Sequence, residues 1–331
     1  MTYLKTPAAI AGSRIAGLGS FRPERRVTND ELAPRIDSSD EWIRERTGII
    51  ERRFGSADDT AASMGAKAAE KAIKDAGLTA EDIDLVIVAT FTHRYQTPSA
   101  AAEIGALIGA HNAAAFDLSA ACAGFCYGVG LADNLIRGGQ AKNVVLVGTE
   151  KLSDFMNFDD RGTAFIFGDG AGAVVITTSD KPGISETVWS ADGRQMDAII
   201  MSPDSVEAGK TGVPSVLTMQ GQSVFRWAVG TMPEVCNRAL DAAGISVQEL
   251  STFIPHQANM RITNAILKSL QLPESVVVAR DIEFTGNTSA ASIPLAMDAL
   301  RASGQLKSGE PMLMVGFGAG LAYAAQVALA P

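Results

Sequence analysis

The sequence predicts an α/β protein built from two related halves, and three observations carry that reading. The first is an internal echo. Ala76-Gly77-Leu78-Thr79-Ala80-Glu81-Asp82-Ile83-Asp84-Leu85-Val86-Ile87-Val88 reads as a helix end, a capped loop and a buried strand. Ala243-Gly244-Ile245-Ser246-Val247-Gln248-Glu249-Leu250-Ser251-Thr252-Phe253-Ile254-Pro255 repeats that plan 167 residues later. Further on, Val145-Leu146-Val147-Gly148 is matched by Leu313-Met314-Val315-Gly316 at an offset of 168. An offset kept over so long a stretch points to duplication of one α/β unit. The second observation is that the strand candidates Leu85–Ala89, Val144–Val147 and Met312–Val315 are unbroken apolar runs. Such runs suit parallel strands covered on both faces. The third is that Cys122, His256 and Asn287 each fall between a strand-like run and a small-residue helix start.

Taken in order, Ala61–Ala76 has alanine and apolar positions at helical spacing, with Gly77 as a C-cap. Asp117-Leu118-Ser119-Ala120-Ala121-Cys122-Ala123-Gly124-Phe125 then places a thiol where a buried strand gives way to a helix. A cysteine just inside a helix N-terminus faces unpaired backbone N–H groups and the positive end of the dipole. Both favour thiolate, the nucleophilic form. A lone cysteine among small residues is ordinarily a core residue; its company reverses that reading here. Cys126, one turn on, is expected to pack within the same helix, and Cys236 within the core. Gly168-Asp169-Gly170-Ala171-Gly172 lacks a following GK[ST] and leads into a strand, Ala173–Ile176. Its glycines therefore serve close backbone packing rather than phosphate binding. Residues 178–221 are polar and rich in Gly, Pro and Asp, and are expected to form a bridge and surface loops.

The second half supplies Ile254-Pro255-His256-Gln257-Ala258-Asn259-Met260-Arg261 and Thr285-Gly286-Asn287-Thr288-Ser289-Ala290-Ala291-Ser292-Ile293-Pro294. The turn holding Asn287 stands opposite the one holding Cys122 in the repeat. Residues 1–177 are thus read as the half with the cysteine, and residues 178–331 as connecting loops plus the half with His256 and Asn287.

The 331-residue chain is 47% hydrophobic and 20% charged, enough for a substantial core. Only 6% is aromatic, and 32 residues are glycine, which suggests closely packed elements. A net charge of −9 with no basic run disfavours nucleic acid as a partner. Three cysteines cannot make a disulfide framework and match no zinc spacing, which fits a reducing cytoplasm. Met1 to Gly12 shows no signal-peptide pattern, and no apolar run reaches membrane-spanning length. No metal cluster is visible, and His93 and His111 receive no role.

These residues resemble the β-ketoacyl-[acyl carrier protein] synthase III family of the thiolase superfamily. The likeness runs over nearly the whole chain. It includes Ser38-Ser39-Asp40-Glu41-Trp42-Ile43, Arg46-Thr47-Gly48-Ile49, Ala120-Ala121-Cys122-Ala123-Gly124-Phe125, Asp160-Arg161-Gly162-Thr163, Phe167-Gly168-Asp169-Gly170-Ala171-Gly172, Pro255-His256-Gln257-Ala258-Asn259 and Gly286-Asn287-Thr288-Ser289-Ala290-Ala291-Ser292. The resemblance implies a five-layered αβαβα sandwich of two duplicated halves. It also implies an initiating condensing enzyme, since elongating relatives pair the cysteine with two histidines rather than with His and Asn.

By that resemblance Cys122 takes the acyl group of a short acyl-CoA, and malonyl-acyl carrier protein then loses CO2 to give an enolate that attacks it. The backbone N–H groups of Cys122 and Ala319 would stabilise the oxyanion, although some relatives carry glycine at the second position. His256 and Asn287 would donate to the enolate oxygen; His256 as a base on Cys122 is the competing assignment. Phe125 would shape the malonyl approach. Trp42 would stack on the CoA adenine flanked by Arg161, and Arg46 would bind its phosphates. Gly221 and Asn259 would bound the pantetheine tunnel, with Phe225 nearby. Arg261, Arg226 and Lys268 would dock the acidic carrier protein, the first and last being seven apart on one helix face. Thr97 would close the partner subunit's acyl pocket, implying a homodimer and, since it is smaller than the phenylalanine of some acetyl-selective relatives, tolerance of branched primers. No cofactor is implied; acyl-CoA is a substrate. The alternatives are a priming ketosynthase of a polyketide pathway and, from another class, a non-catalytic acyl-CoA binder. An activity like that of 3-hydroxy-3-methylglutaryl-CoA synthase fits less well, as no counterpart of its glutamate is found.

Overall fold

Each half of the chain builds one five-stranded sheet, and the computed structural model describes residues 9–331. Most of the segment read for a leader therefore lies outside the described residues. The first half contributes β1 (Gly12–Phe21), β2 (Arg25–Thr28), α1 (Asn29–Leu32), α2 (Asp40–Thr47), β3 (Glu51–Phe54), α3 (Ala61–Asp75), β4 (Leu85–Ala89), α4 (Ala100–Ile108), β5 (Ala114–Leu118), α5 (Gly124–Arg137), β6 (Asn143–Glu150) and β7 (Gly170–Ser179). The second contributes β8 (Val188–Ala191), β9 (Ile199–Ser202), α6 (Ser205–Thr211), β10 (Val216–Met219), α7 (Gly221–Ala243), β11 (Thr252–Pro255), α8 (Met260–Leu270), β12 (Val277–Val278), α9 (Ile282–Thr285), α10 (Ser292–Ala302), β13 (Pro311–Gly318) and β14 (Ala322–Leu329).

The sheets have orders β1-β7-β6-β4-β5 and β8-β14-β13-β11-β12. In the first, β4 runs parallel to β5 and β6 while β7 is antiparallel to β6 and β1. The second repeats this, with β11 parallel to β12 and β13, and β14 antiparallel to β13 and β8. The duplication read from the sequence thus extends strand by strand. Helices α5 and α10 lie between the sheets and touch both; α3 and α4 cover the outer face of the first, α7 and α8 that of the second. This is the five-layered αβαβα sandwich.

Burial follows the layers. The apolar runs Leu85–Ala89 and Val144–Val147 are buried throughout, as strands faced by helices on both sides must be. The middle layer joins Phe125, Val129 and Ile136 of α5 to Ile293 and Met297 of α10 in one core. Small residues let the outer helices come close: a Cβ on Gly17 of β1 would lie 2.2 Å from the carbonyl oxygen of Ala72 in α3. Helix α3 starts on a capping box between Thr60 and Ser63, and Gly77, at φ +71°, follows its end.

Two expectations change. The strand before Cys122 is not buried: β5 is the edge of its sheet, and Ala114, Ala115 and Phe116 are exposed. Residues 178–221 are not only loops. They hold β8, the antiparallel hairpin β9–β10 and α6, because Ile199, Met201 and Leu217 give that stretch an apolar face to pack.

The middle layer leaves no room at Gly148 of β6, where a Cβ would lie 2.3 Å from the Ala290 carbonyl oxygen. Gly148→Ala should lower stability by about 1–3 kcal/mol. An unchanged urea midpoint would contradict this account of the packing.

Candidate active site

The repeat brings two short helical turns together between the sheets. Ala121–Ala123 leads into α5 and Ser289–Ala291 into α10, and the two turns touch. Ala121 and Ser289, which correspond in the repeat, both adopt left-handed backbone angles, φ +44° and +50°. No side chain caps α5 or α10, so their first N–H groups remain free of side-chain acceptors.

A cavity of about 800 Å³ ends on these turns. Cys122, His256, Asn287 and Ala319 line it, along with Trp42, Arg46, Arg161, Gly221, Phe225, Arg226, Asn259 and Arg261. Cys122 is half-buried, but its sulfur is desolvated, and that burial pushes the thiol up to about 12. The Ser289 hydroxyl opposes the shift and the Glu150 carboxylate adds to it. The expectation that this position favours thiolate is therefore corrected: burial of the sulfur outweighs the helix terminus. A Cβ on Gly318 would lie 2.7 Å from that of Cys122, which fixes the strand leading to Ala319 against the nucleophile.

His256 follows β11 directly. Its N–H donates to the Val315 carbonyl at 2.7 Å, its ring stands edge-on to Phe317 at 5.3 Å, and Nδ1 is 2.7 Å from Ser292 Oγ. Burial lowers its pKa to about 3, so the imidazole is neutral at physiological pH. Asn287 is clamped by its backbone: its N–H donates to Ile166 and its carbonyl accepts from Gly168. Its Oδ1 accepts the Ser289 N–H at 2.8 Å, leaving Nδ2 for the cavity. Beneath that clamp Arg52, fully buried, donates to the Phe165 and Val27 carbonyls and to Asn29 Oδ1.

At the cavity mouth, Ser39 caps α2 by accepting the Trp42 N–H at 3.2 Å. The Arg46 and Arg161 guanidinium carbons lie 5.4 and 5.5 Å from the Trp42 ring centre. Asn259 caps α8 through its Oδ1 and donates to the Arg46 carbonyl at 3.0 Å, tying the two mouth helices together. Arg261 stacks 5.2 Å over Phe225. Arg226, Arg261 and Lys268 are exposed, but Lys268 does not line the cavity.

Phe125 is a correction. It is 0% exposed, belongs to the middle core with Val129 and Ile136, and does not line the cavity. Thr97 is exposed and does not line its own chain's cavity. Sequence reasoning gave no role to Ser292, Ser289 or Glu150. The serines stood in a quoted motif, and Glu150 was signalled only as a carboxylate closing an apolar strand. Nor did it find the apolar wall from Ile199, Met201, Leu217 and Met219. Among the described residues no group of His, Cys, Asp and Glu could hold a metal ion, and no helix is long and apolar enough to cross a membrane.

The buried neutral imidazole makes a pH prediction. Its folded pKa lies below the ordinary 6.5, so its contribution to stability is present above about pH 6.5 and lost as pH falls toward 3. Replacing His256 with Asn should make the acid-side fall shallower by up to about 1.4 kcal/mol per pH unit. Urea unfolding at a series of pH values from 7.5 down to 4.5 checks it, and parallel curves for the two proteins would contradict it.

Comparison with known proteins agrees with the fold. The family models for 3-oxoacyl-[acyl-carrier-protein (ACP)] synthase III and its C-terminal part match residues 116–193 and 240–329. The chain is 50% identical over 334 residues to β-ketoacyl-[acyl-carrier-protein] synthase III of Streptomyces glaucescens, covering 100% of both. It is 51% identical over 333 residues to the mycobacterial synthase III of Mycobacterium tuberculosis, covering 100% of this chain and 99% of the other. Among solved structures, the priming β-ketosynthase of the R1128 polyketide pathway superposes with a TM-score of 0.96 at 44% identity, over 99% and 98% of the two chains. The 3-oxoacyl-(acyl carrier protein) synthase III of Pseudomonas aeruginosa PAO1 gives 0.90 at 37%, over 97% and 98%. The chain therefore belongs to the β-ketoacyl-[acyl-carrier-protein] synthase III family.

Proposed function

We propose that Cys122, His256 and Asn287 divide the chemistry of an initiating condensation among them. The enzyme joins a short acyl-CoA primer to malonyl-acyl carrier protein, releasing CoA and CO2 and yielding 3-oxoacyl-acyl carrier protein, the step that begins fatty acid synthesis. The observation that supports the residue roles best is that one cavity ends on all three side chains and opens past Trp42, Arg46 and Arg161.

In this reading Cys122 attacks the acyl-CoA thioester and holds the acyl group, splitting one hard transfer into two easier ones. The N–H groups of Cys122 and Ala319 face the oxyanion. Malonyl-acyl carrier protein then loses CO2, and His256 and Asn287 Nδ2 donate to the enolate oxygen. In this reading the Ser292 hydroxyl, which accepts the Gln257 N–H, donates its own hydrogen to His256 Nδ1, and the imidazole proton sits on Nε2 for the substrate. A donor role fits better than a base role, since moving a proton from a thiol near 12 to an imidazole near 3 is steeply uphill. The enolate carbon attacks the acyl-Cys122 carbonyl to give the product. No cofactor enters these steps.

Trp42 offers a face for adenine, with Arg46 for phosphates and Arg161 beside the ring; Gly221, Phe225 and Asn259 bound the tunnel. Arg226, Arg261 and Lys268 form the basic surface proposed for the acidic carrier protein. A homodimer is supported by the exposed edge strand β5 and by exposed Tyr95, Leu107 and Phe116, with Thr97 reaching the partner subunit's acyl pocket. The three free cysteines suit a reducing cytoplasm. The likeness to a polyketide priming ketosynthase favours one second reading, a primer step for a polyketide carrier. Condensation with such a carrier and none with that of fatty acid synthesis would decide for it.

Intact-protein mass after mixing with acetyl-CoA or isobutyryl-CoA tests the nucleophile. An acyl adduct is expected on the wild type and none on Cys122→Ala; no adduct on either would overturn the reading. Primer choice tests Thr97. Isobutyryl-CoA should be used at a rate within about tenfold of acetyl-CoA, and Thr97→Phe should cut it at least about tenfold while sparing acetyl-CoA, as filling a pocket does. A wild type that uses only acetyl-CoA would refute this.

A further inference from the structure

We infer that Arg52 is a positioning residue for the condensation: its buried guanidinium fixes the chain segment that clamps Asn287, and so sets where Asn287 Nδ2 meets the enolate. The inference rests on the reading of Asn287 as an enolate donor. Arg52 lies in β3 opposite Val27 of β2 and is 0% exposed. Its Nη2 donates to the Phe165 carbonyl and to Asn29 Oδ1, each at 2.7 Å, and its Nη1 donates to the Val27 carbonyl at 3.2 Å. Its Nε is buried without a partner. Glu51, its chain neighbour, pairs with Arg26, and Asp40 pairs with Arg44. A guanidinium held by carbonyls and an amide rather than by a carboxylate is a costly way to fill an interior. Burial lowers its pKa to about 10, so it keeps its charge and all its donors at neutral pH.

What the guanidinium holds is irregular chain. Residues 163–169 belong to no strand or helix, so no ladder of backbone hydrogen bonds sets their place. Pins on β3 set it instead. Arg52 holds the Phe165 carbonyl, and the Arg53 carbonyl accepts the Asp169 N–H at 2.8 Å. Between these pins are the groups that grip Asn287. The Ile166 carbonyl accepts the Asn287 N–H at 2.9 Å, and the Gly168 N–H donates to the Asn287 carbonyl at 3.0 Å. Both chains close over the arginine stem: a Cβ on Gly168 or on Gly286 would lie 3.1 Å from Arg52 Cβ. The far side of the guanidinium is anchored too. Asn29 is fully buried and donates Nδ2 to the Ile49 carbonyl and to Asp40 Oδ1, both at 2.8 Å.

At the Asp169 end the carboxylate adds bonds to the Gly55 N–H and to Ser153. The Phe165 end relies on the guanidinium, so its loss lets the segment pivot and carries Asn287 with it. A shift of about 1 Å at a preorganised donor is worth on the order of a hundredfold in rate. Cys122 stands on the other turn, and no hydrogen bond of Arg52 reaches that turn. The effect is therefore confined to the half-reaction that Asn287 serves.

The test measures both half-reactions, Cys122 acylation by acetyl-CoA and decarboxylation of malonyl-acyl carrier protein. The proteins are the wild type, Arg52→Met, Arg52→Lys, Asn287→Ala and the double variant Arg52→Met with Asn287→Ala. Arg52→Met should decarboxylate at least about tenfold more slowly, chiefly in kcat, with acylation within about threefold of wild type. Arg52→Lys keeps the charge but not the planar fork; it should do the same, and it decides alone if Arg52→Met does not fold. The double variant should be no slower than Asn287→Ala, since Arg52 acts through Asn287, whereas independent effects would multiply. Three results would overturn the positioning role while leaving Asn287 as donor: wild-type decarboxylation in a folded Arg52 variant, equal losses in both half-reactions, or multiplied losses in the double variant. Failure of both Arg52 variants to fold would overturn it as well, making Arg52 a support of the fold alone. Wild-type decarboxylation in Asn287→Ala would overturn the donor reading, and this inference with it.

Discussion

The site depends on one steric constraint: two helix starts must share the space between two sheets. Each sheet meets it with a glycine. Gly148 of β6 admits the Ser289–Ala291 turn of the other half, and Gly316 of β13 admits Cys122 and Ala123. A Cβ on Gly316 would lie 3.1 Å from both the Cys122 carbonyl oxygen and the Ala123 Cα. The two glycines are counterparts in the repeat, so each half receives the other's turn in the same way. Interiors are packed too densely to take up a misplaced turn elsewhere, and loss of either close approach would separate Cys122 from Asn287. The alanines and serines of both turns and the low aromatic content follow from the same need.

That packing also decides the electrostatics. The groups at the floor of the cavity are buried, and burial disfavours charge. Cys122 is held as a thiol and His256 as a neutral imidazole, and Glu150 hovers between its two forms. Neutral groups suit a reaction in which the charge arrives with the malonyl carboxylate and passes to an enolate. Preorganised N–H donors stabilise such charge more in this setting than in water. Arg52 supports the arrangement from below by tying the Phe165–Phe167 segment, which clamps Asn287, to β2 and α1.

Much of this was legible in the sequence because duplication leaves a periodic trace. The offset of 167–168 residues placed β4 against β11 and β6 against β13, and it set the turns of Cys122 and Asn287 opposite each other. Apolar runs revealed covered strands, and the Cys, His and Asn at strand ends pointed to residues that one cavity brings together. What stayed hidden depends on side-chain direction and solvent, which spacing does not carry. Phe125 is one residue into α5 and could face either way; it packs in the middle core and does not line the cavity. The thiolate expectation rested on the helix terminus and could not weigh the burial opposing it. The β9–β10 hairpin was obscured by a polar stretch whose alternate residues carry the apolar wall. Ser292 and Glu150 matter only through atoms they meet across long sequence distances.

The central claim is the division of labour, with Cys122 handling acyl transfer and His256 with Asn287 serving the enolate. It is tested most directly by measuring the two half-reactions separately in His256→Ala and Asn287→Ala. The account predicts Cys122 acylation by acetyl-CoA within about threefold of wild type in both. It also predicts that decarboxylation of malonyl-acyl carrier protein falls by at least about a hundredfold, the scale of losing a donor to a developing oxyanion. Acylation lost together with decarboxylation in His256→Ala would contradict it and make His256 the base that activates the thiol.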